Sequence, residues 1–350
     1  MNTISMMSKA DMTKGHGVLS VYEELMTLLQ TYYPDKYRLQ KNTVKQADIY
    51  HYHTINPGFF LTLPIARHRG TTVGFVHFVP KTLEESVHLW KIARAPFYWY
   101  VMRFYHAMDD LVTVNPHFVE DLVEAGIERD KITYIPNCVS TDAFYPLSAE
   151  EKAALRDRLG LPRDKRIVIG AGQLQIRKGV LDFVEVAKAH PDKLFLWLGG
   201  FSFGKISDGY EQIKAVMAAP PDNLRFVGMV DRGEMNDWYN AADLLLLPSF
   251  AELFPMTILE ALNCHMPIVV RDLPEYHGVV SDYVRMCPDT DGFVSAIDRL
   301  CTDGEAFRQA SERSAAGSAY YSTENVAKMW DAFYTARIAH PRRQKTKKAV

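Results

Sequence analysis

A chain of 350 residues exceeds the length at which one hydrophobic core usually stays single, so two domains are expected. Hydrophobic residues make up 47% and charged residues 23%, an ordinary globular composition with enough apolar material for two cores. The formal net charge of −2 argues against a chain that binds polyanions, nucleic acid included, with its whole surface.

The charge is unevenly spread. Residues 337–350 hold six basic and no acidic side chains, which leaves 34 basic against 42 acidic in the remainder. Residues 36–103 hold ten Lys or Arg against Asp48, Glu84 and Glu85. A patch of that sign suits phosphates or an anionic lipid surface. Cys138, Cys264, Cys287 and Cys301 are too scattered for a metal site and read as reduced thiols of a cytosolic protein. The first residues contain no apolar stretch of signal-peptide length, and no run is apolar enough to span a bilayer. Any membrane contact is therefore expected at the surface.

Along the chain, short β-rich runs alternate with helical stretches, the pattern of parallel sheets in α/β domains. A strand over 3–7 leads into Lys14-Gly-His-Gly17 and a helix over 18–31. Strands over 48–53 and 73–78, helices over 82–93 and 97–106, and strands over 111–114 and 132–135 complete a first domain, 1–145. Pro116 suits the start of the helix that follows it. The second domain, 146–318, opens with a helix over 149–159. Strands over 166–170, 194–198, 224–227, 244–247 and 268–271 then alternate with helices over 178–189, 210–218, 234–241 and 256–263. A crossover helix over 319–338 and a basic tail, 339–350, end the chain. Both halves read as doubly wound domains, whose ligands bind at the carboxyl ends of the strands. Two of them facing each other leave a cleft.

The most informative segment is Ser249-Phe-Ala-Glu-Leu-Phe-Pro-Met-Thr-Ile-Leu-Glu-Ala-Leu262. Glu252 lies on a loop at a strand's carboxyl end, where the N-terminus of the next helix makes an anion site. Glu260 follows after seven intervening residues, within that helix. Carboxylates so placed can accept hydrogen bonds from sugar hydroxyls, although a helix-start acid and a solvated helix residue would read alike. The single Asp-x-Asp, Asp289-Thr-Asp291, reads as surface, so no catalytic metal is expected.

The paired glutamates in this strand–loop–helix setting resemble the signature of glycosyltransferase family 4, retaining enzymes of the GT-B fold. Gly170-Ala-Gly-Gln-Leu-Gln-Ile-Arg-Lys-Gly179 resembles that family's phosphate loop, Tyr134-Ile-Pro-Asn137 its linker and Lys14-Gly-His-Gly17 its N-terminal glycine loop. The resemblance implies two Rossmann-like domains facing a cleft, with a C-terminal helix returning to the first. It implies a UDP-hexose donor, no cofactor and no metal. Arg177 and Lys178 would face the donor pyrophosphate, and Gly17 would let the backbone approach it. Glu260 would bind the ribose and Glu252 the hexose, with Val227-Gly-Met229-Val230 holding the base. His77 would contact the sugar, and Gln173, Phe254 and Pro255 would complete the donor site. Two positions depart from the pattern. Gln173 stands where Arg is frequent and binds phosphate more weakly, and Pro255 stands where Gly is common. With no nucleophile evident at the anomeric carbon, the expected course is front-face substitution with retention.

Glu252-Leu-Phe-Pro-Met-Thr-Ile-Leu-Glu260, Gly74-Phe-Val-His-Phe-Val-Pro80 and Gly199-Gly-Phe-Ser-Phe-Gly204 further resemble the glycolipid synthases of Gram-positive organisms, of the diglycosyl-diacylglycerol type. That implies transfer of galactose or glucose to α-monoglucosyl-diacylglycerol. A first-step 1,2-diacylglycerol 3-α-glucosyltransferase and a polysaccharide glycosyltransferase are the alternatives. Residues 90–106 are dense in aromatics and basic groups, the composition of an interfacial helix, with Trp90, Lys91, Arg94, Trp99 and Arg103 as contacts to an anionic membrane or lipid acceptor. The same residues in a core would be equally aromatic. The expected location is cytoplasmic, peripheral on the inner face of the membrane. A dehydrogenase is disfavoured because Gln175 occupies the place of the dinucleotide fingerprint's third glycine.

Overall fold

The computed structural model describes residues 1–9, 17–77, 91–201, 204, 207–252 and 254–341. It divides into two units, Met1–Cys138 with Thr323–Val350, and Val139–Ser322.

In the first unit the order is β1 (Asn2–Met7), α1 (Gly17–Tyr32), β2 (Tyr37–Lys41), β3 (Ile49–Tyr52), α2 (Pro57–Arg69), β4 (Thr71–Val76), α3 (Lys91–His106), β5 (Asp110–Thr113), α4 (His117–Glu124) and β6 (Ile132–Tyr134). The strands form one parallel sheet, β2-β1-β3-β4-β5-β6. Every residue of β3, β4 and β5 is buried, as expected of a parallel sheet with both faces covered. The last helix of the chain, here α12 (Thr323–Ala339), belongs to this unit. Its Trp330 and Tyr334 are buried. The Tyr37 hydroxyl donates to Asp331 at 2.7 Å, and Arg337 pairs with the wholly buried Asp110 at 2.7 Å.

The second unit runs α5 (Ala149–Arg158), β7 (Ile167–Ala171), α6 (Val180–Ala189), β8 (Leu194–Leu198), α7 (Tyr210–Ala218), β9 (Leu224–Gly228), α8 (Met235–Ala241), β10 (Leu244–Leu247), α9 (Met256–Asn263), β11 (Ile268–Arg271), β12 (Arg285–Cys287), α10 (Thr290–Thr302) and α11 (Gly304–Tyr320). Its parallel sheet is ordered β12-β11-β10-β7-β8-β9. The winding reverses between β7 and β10, so a crevice opens at their carboxyl ends. In the first unit the same reversal falls between β1 and β3. Val168, Phe183, Phe195, Trp197, Leu246 and Ile297 fill the second unit's core.

Several elements lie beyond the sequence reading. Strand β2 is a short polar edge strand whose burial does not alternate cleanly, and α2 carries Pro64 in its interior with apolar residues on all sides. The region around residue 95 does not break the chain into two helices, because α3 is continuous and contains Pro96. Pro96 stands in the second turn, where it forgoes only the bond to the first-turn carbonyl of Ile92. Most of the expected helix over 82–93 lies outside the described residues. Residues 139–145 go with the second unit rather than the first. Asn236 accepts from the Tyr145 N–H at 3.0 Å, Asn240 from the Leu147 N–H at 2.8 Å, and Asn263 donates to the Val139 carbonyl at 3.0 Å. The final helical stretch is also two helices, broken between Tyr320 and Thr323.

Candidate functional site

The second unit's candidate site is built from two loops at the reversal point. One leaves β7 and passes through Gly172, Gln173 and a single turn over Ile176–Lys178 before α6 begins. Gly179 closes that turn at φ 70°, and a Cβ there would stand 2.2 Å from the Pro248 carbonyl oxygen. Only glycine satisfies both the backbone angle and the space. Gly199, after β8, is as constrained: its φ is 133°, and a Cβ would lie 1.9 Å from the Gly172 carbonyl oxygen. The Trp197 indole donates to that same oxygen at 3.1 Å.

The other loop leaves β10 through Pro248 and Ser249 to Glu252. Main chain fastens it to the first loop: the Phe250 N–H donates to the Arg177 carbonyl at 2.8 Å, and the Arg177 guanidinium donates back to the Ala251 carbonyl at 3.3 Å. Arg177 Nε also donates to Gln175 at 2.9 Å. At the meeting point Lys178 Nζ donates to Glu252 Oε1 in an ion pair whose side chains are only 14% and 7% exposed. Burial opposes the charge on Glu252, but Lys178 and Arg177 outweigh it and hold the carboxyl below its ordinary value. Burial, with the neighbouring Arg177, draws Lys178 downward against the pull of Glu252.

Glu260, on α9, is not a solvated helix residue. It is 6% exposed, accepts from the Tyr239 hydroxyl at 2.8 Å, and lies 3.8 Å from the Arg232 guanidinium. Pro255 precedes α9, and among the described residues no side chain caps its N-terminus. Phe254 is buried against Tyr321 with ring centroids 5.3 Å apart. Gln173 and Val230 are half-buried, and Met229 is exposed beyond the carboxyl end of β9.

His77 follows β4 in the first unit. It continues a row of aromatic rings on one face of that sheet: Phe75 stacks on His77 with centroids 4.3 Å apart, His53 on Phe75 at 5.2 Å, and His51 lies 4.2 Å from His53. The His51 Nδ1 and the Tyr334 hydroxyl share a hydrogen bond of 2.8 Å. Burial lowers His51 and His77 to about 3, so both are neutral at physiological pH. Gly17 opens α1, while residues 14–16 of its loop lie outside the described residues.

Of the expected membrane contacts, Trp90 lies outside the described residues, and Lys91 and Arg94 fall in the first turn of α3. Trp99 is 68% exposed, and Arg103 is exposed four residues on. Part of the aromatic content of α3 is core, since Phe104 and Tyr105 are buried. The neighbouring α2, reached through Phe60 at 5.8 Å from Tyr100, adds Leu61 at 78% exposure and Ile65. No helix of the described residues is long and apolar enough to cross a membrane. The Asp-x-Asp sequence is exposed, and its Asp289 caps α10 by accepting from the Gly292 N–H at 2.8 Å. Beyond residue 341 the basic tail lies outside the described residues.

Sequence reasoning passed over Arg232, Tyr239 and Arg271. Arg271, at the end of β11, donates to the Pro248 carbonyl at 3.1 Å, pairs with Asp182 in the first turn of α6, and stacks 3.9 Å from the Phe250 ring centroid. It thus ties the second loop to the start of α6. A basic residue ending an otherwise apolar strand, Ile-Val-Val-Arg271, was the signal that could have found it.

Two family models match the chain: Glycosyltransferase Family 4 over residues 14–143 and Glycosyl transferases group 1 over residues 151–316. The alpha-galactosylglucosyldiacylglycerol synthase of Streptococcus pneumoniae is 41% identical over 336 residues, 96% of this chain and 90% of that protein. The processive diacylglycerol alpha-glucosyltransferase of Acholeplasma laidlawii is 28% identical over 202 residues, 57% of this chain and 59% of that one. Among solved structures, Anabaena HepE in complex with UDP and glucose aligns with a TM-score of 0.77 at 14% identity, over 96% of this chain and 100% of its own. Sucrose-phosphate synthase from Thermosynechococcus elongatus aligns with a TM-score of 0.74 at 16% identity, over 97% and 100%.

Proposed function

The chain belongs to the glycosyltransferase family 4 glycolipid synthases of GT-B fold, and from that premise we propose that it transfers a hexose from UDP-hexose to glucosyl-diacylglycerol, giving a dihexosyl-diacylglycerol. The observation that carries the reading is the convergence of Arg177, Lys178 and Glu252 where β7 and β10 end side by side. Cleavage of the donor's glycosidic bond builds negative charge on the β-phosphate. Cations already fixed there stabilise that charge without reorganising, and fixed charges of this kind usually supply the greater part of an enzyme's acceleration. Lys178 is the principal counter-charge and Arg177 the second. The α9 N-terminus adds N–H groups of the same sign. Glu252, kept ionised, accepts from hydroxyls of the hexose, and Glu260 from those of the ribose. His77, kept neutral by burial, offers a ring nitrogen to the sugar. Retention by front-face substitution follows if no enzyme carboxylate attacks the anomeric carbon, and the positive groups facing the phosphates make a divalent cation unnecessary.

The acceptor reading rests on the relatives' named products and on the exposed Leu61, Ile65 and Trp99, with Arg67, Arg69 and Arg103 exposed on the same two helices. Apolar side chains ringed by basic ones suit an anionic lipid surface, so the enzyme works as a peripheral protein on the inner face of the membrane. The test offers UDP-glucose or UDP-galactose, with a chelator present, to mixed micelles of diacylglycerol or α-monoglucosyl-diacylglycerol. A dihexosyl lipid with a retained anomeric centre is the expected product. Product from bare diacylglycerol alone would move the enzyme to the first step. No lipid product from either donor would overturn the lipid reading.

A further inference from the structure

A carboxylate as buried as Glu260 persists only where donors satisfy it. A hydrogen-bond donor and a nearby positive charge reach it from separate parts of the second unit. Tyr239, on α8, is wholly buried and directs its hydroxyl to Oε2 at 2.8 Å. Burial, and next the charge of Glu260, push the Tyr239 phenol well above its ordinary range, so it remains a donor at neutral pH. Arg232, in the turn Arg232–Glu234 after β9, places Nη1 3.8 Å from Oε1. Phe144 ties the two together: the Arg232 guanidinium lies 5.8 Å from its ring centroid, and Tyr239 meets it edge-on at 6.0 Å.

A carboxylate on a glutamate side chain turns freely about its terminal torsion unless something holds its plane. The Tyr239 hydroxyl on Oε2 and the Arg232 charge beside Oε1 fix that plane and assign each oxygen a partner. A vicinal diol can then donate both hydroxyls to one edge of a carboxylate that does not need to reorient. A 2′-deoxyribose offers only one of those two hydroxyls, and a site built to bind a hydroxyl rejects the analogue that lacks it.

We propose that Tyr239 and Arg232 are positioning residues that set the Glu260 carboxylate for the ribose diol of the donor nucleotide, and that they make the site selective for ribonucleotides over 2′-deoxyribonucleotides. The proposal rests on Glu260 being the ribose ligand, and the test separates the two ideas. Binding of UDP and of 2′-deoxy-UDP to the full-length protein is measured by titration calorimetry for the native chain, Tyr239→Phe, Arg232→Gln and Glu260→Gln. Initial rates with UDP-hexose and melting temperatures are taken in parallel. Tyr239→Phe keeps the packed ring and should narrow the preference for UDP by about tenfold, the loss of one hydrogen bond to a charged group. It should raise KM for UDP-hexose while kcat stays within about twofold, since the chemistry lies elsewhere. Arg232→Gln, on a partly exposed turn, should narrow the preference without moving the melting temperature. If Glu260→Gln abolishes the preference and both other variants keep it, the positioning role is refuted and the ribose reading stands. If Glu260→Gln keeps the preference, the ribose reading fails and takes the proposal with it. A fall in kcat and melting temperature with the preference intact would assign Tyr239 to packing alone.

Discussion

Lys178 and Glu252 form a pair in which neither charge is well solvated, so each depends on the other. Truncating one partner leaves an uncompensated buried charge. Lys178→Met is therefore expected to destabilise the protein by about 3–5 kcal/mol, and adding Glu252→Gln should return a large part of that loss. Urea denaturation of the two single variants and the double variant measures this directly, and equal, additive losses would contradict it. Activity should vanish in all three. Because Glu252 is held below its ordinary value, its own contribution is complete above the unfolded carboxylate value. It is lost as pH falls through the lower folded one. Arg271 touches neither phosphate nor sugar on this reading. Its fork holds the Pro248 carbonyl and Asp182 together, and its plane lies on Phe250. Arg271→Lys keeps the charge but loses fork and stacking. It should lower kcat about tenfold, with the circular dichroism spectrum unchanged.

At the scale of elements, the loops carry the constraint. Gly199→Ala would force a Cβ into the Gly172 carbonyl at a backbone angle unsuited to any side chain. Loss of UDP binding with the second unit's thermal transition lowered is the expected result, read by calorimetry with and without UDP. In the first unit His51, His53, Phe75 and His77 form one row of rings whose imidazoles burial keeps neutral, with Tyr334 of α12 bonded to one end. His51 and His77 are lowered to about 3, so the unfolded chain binds more protons than the folded one between about pH 3 and 6.5. Stability must therefore fall as pH falls through that window, by about 2 kcal/mol per imidazole at pH 5. His51→Phe should flatten the stability-versus-pH curve of the protein between pH 7 and 5. An unchanged slope would show that His51 is not neutral in the fold. The element pattern itself was legible where strands are buried on both faces, as in Leu244–Leu247, and obscure where they are not, as in the polar edge strand β2.

At the scale of the whole molecule, each unit builds its own parallel sheet with a reversal of winding, and the chain's last helix folds back into the unit where the chain began. The near-zero net charge hides a basic, apolar-tipped region on α2 and α3 of the first unit. Replacing Leu61, Ile65 and Trp99 with Ser should abolish co-sedimentation with anionic liposomes and lower the rate on micellar glucosyl-diacylglycerol. UDP binding should be unaffected, since none of the three belongs to the set of residues assigned to the donor. Unchanged co-sedimentation would place lipid contact elsewhere.

The amino-acid sequence by itself determined two α/β domains, most of their strands and the two glutamates with seven residues between them, because these depend on local periodicity and on fixed spacing. It also marked Lys178 and Arg177 as the basic end of a glycine-bounded loop. Tertiary structure alone decided that Glu260 is buried rather than solvated, that Tyr239, Arg232 and Arg271 brace the site, and that His51, His53 and His77 form one row. It likewise decided which aromatics of α3 are core and which, like Trp99, face solvent. The reason is range. Arg271 reaches Asp182, and His51 reaches Tyr334, across long stretches of chain. Such contacts exist only once strands distant in sequence lie side by side, and no local spacing encodes them.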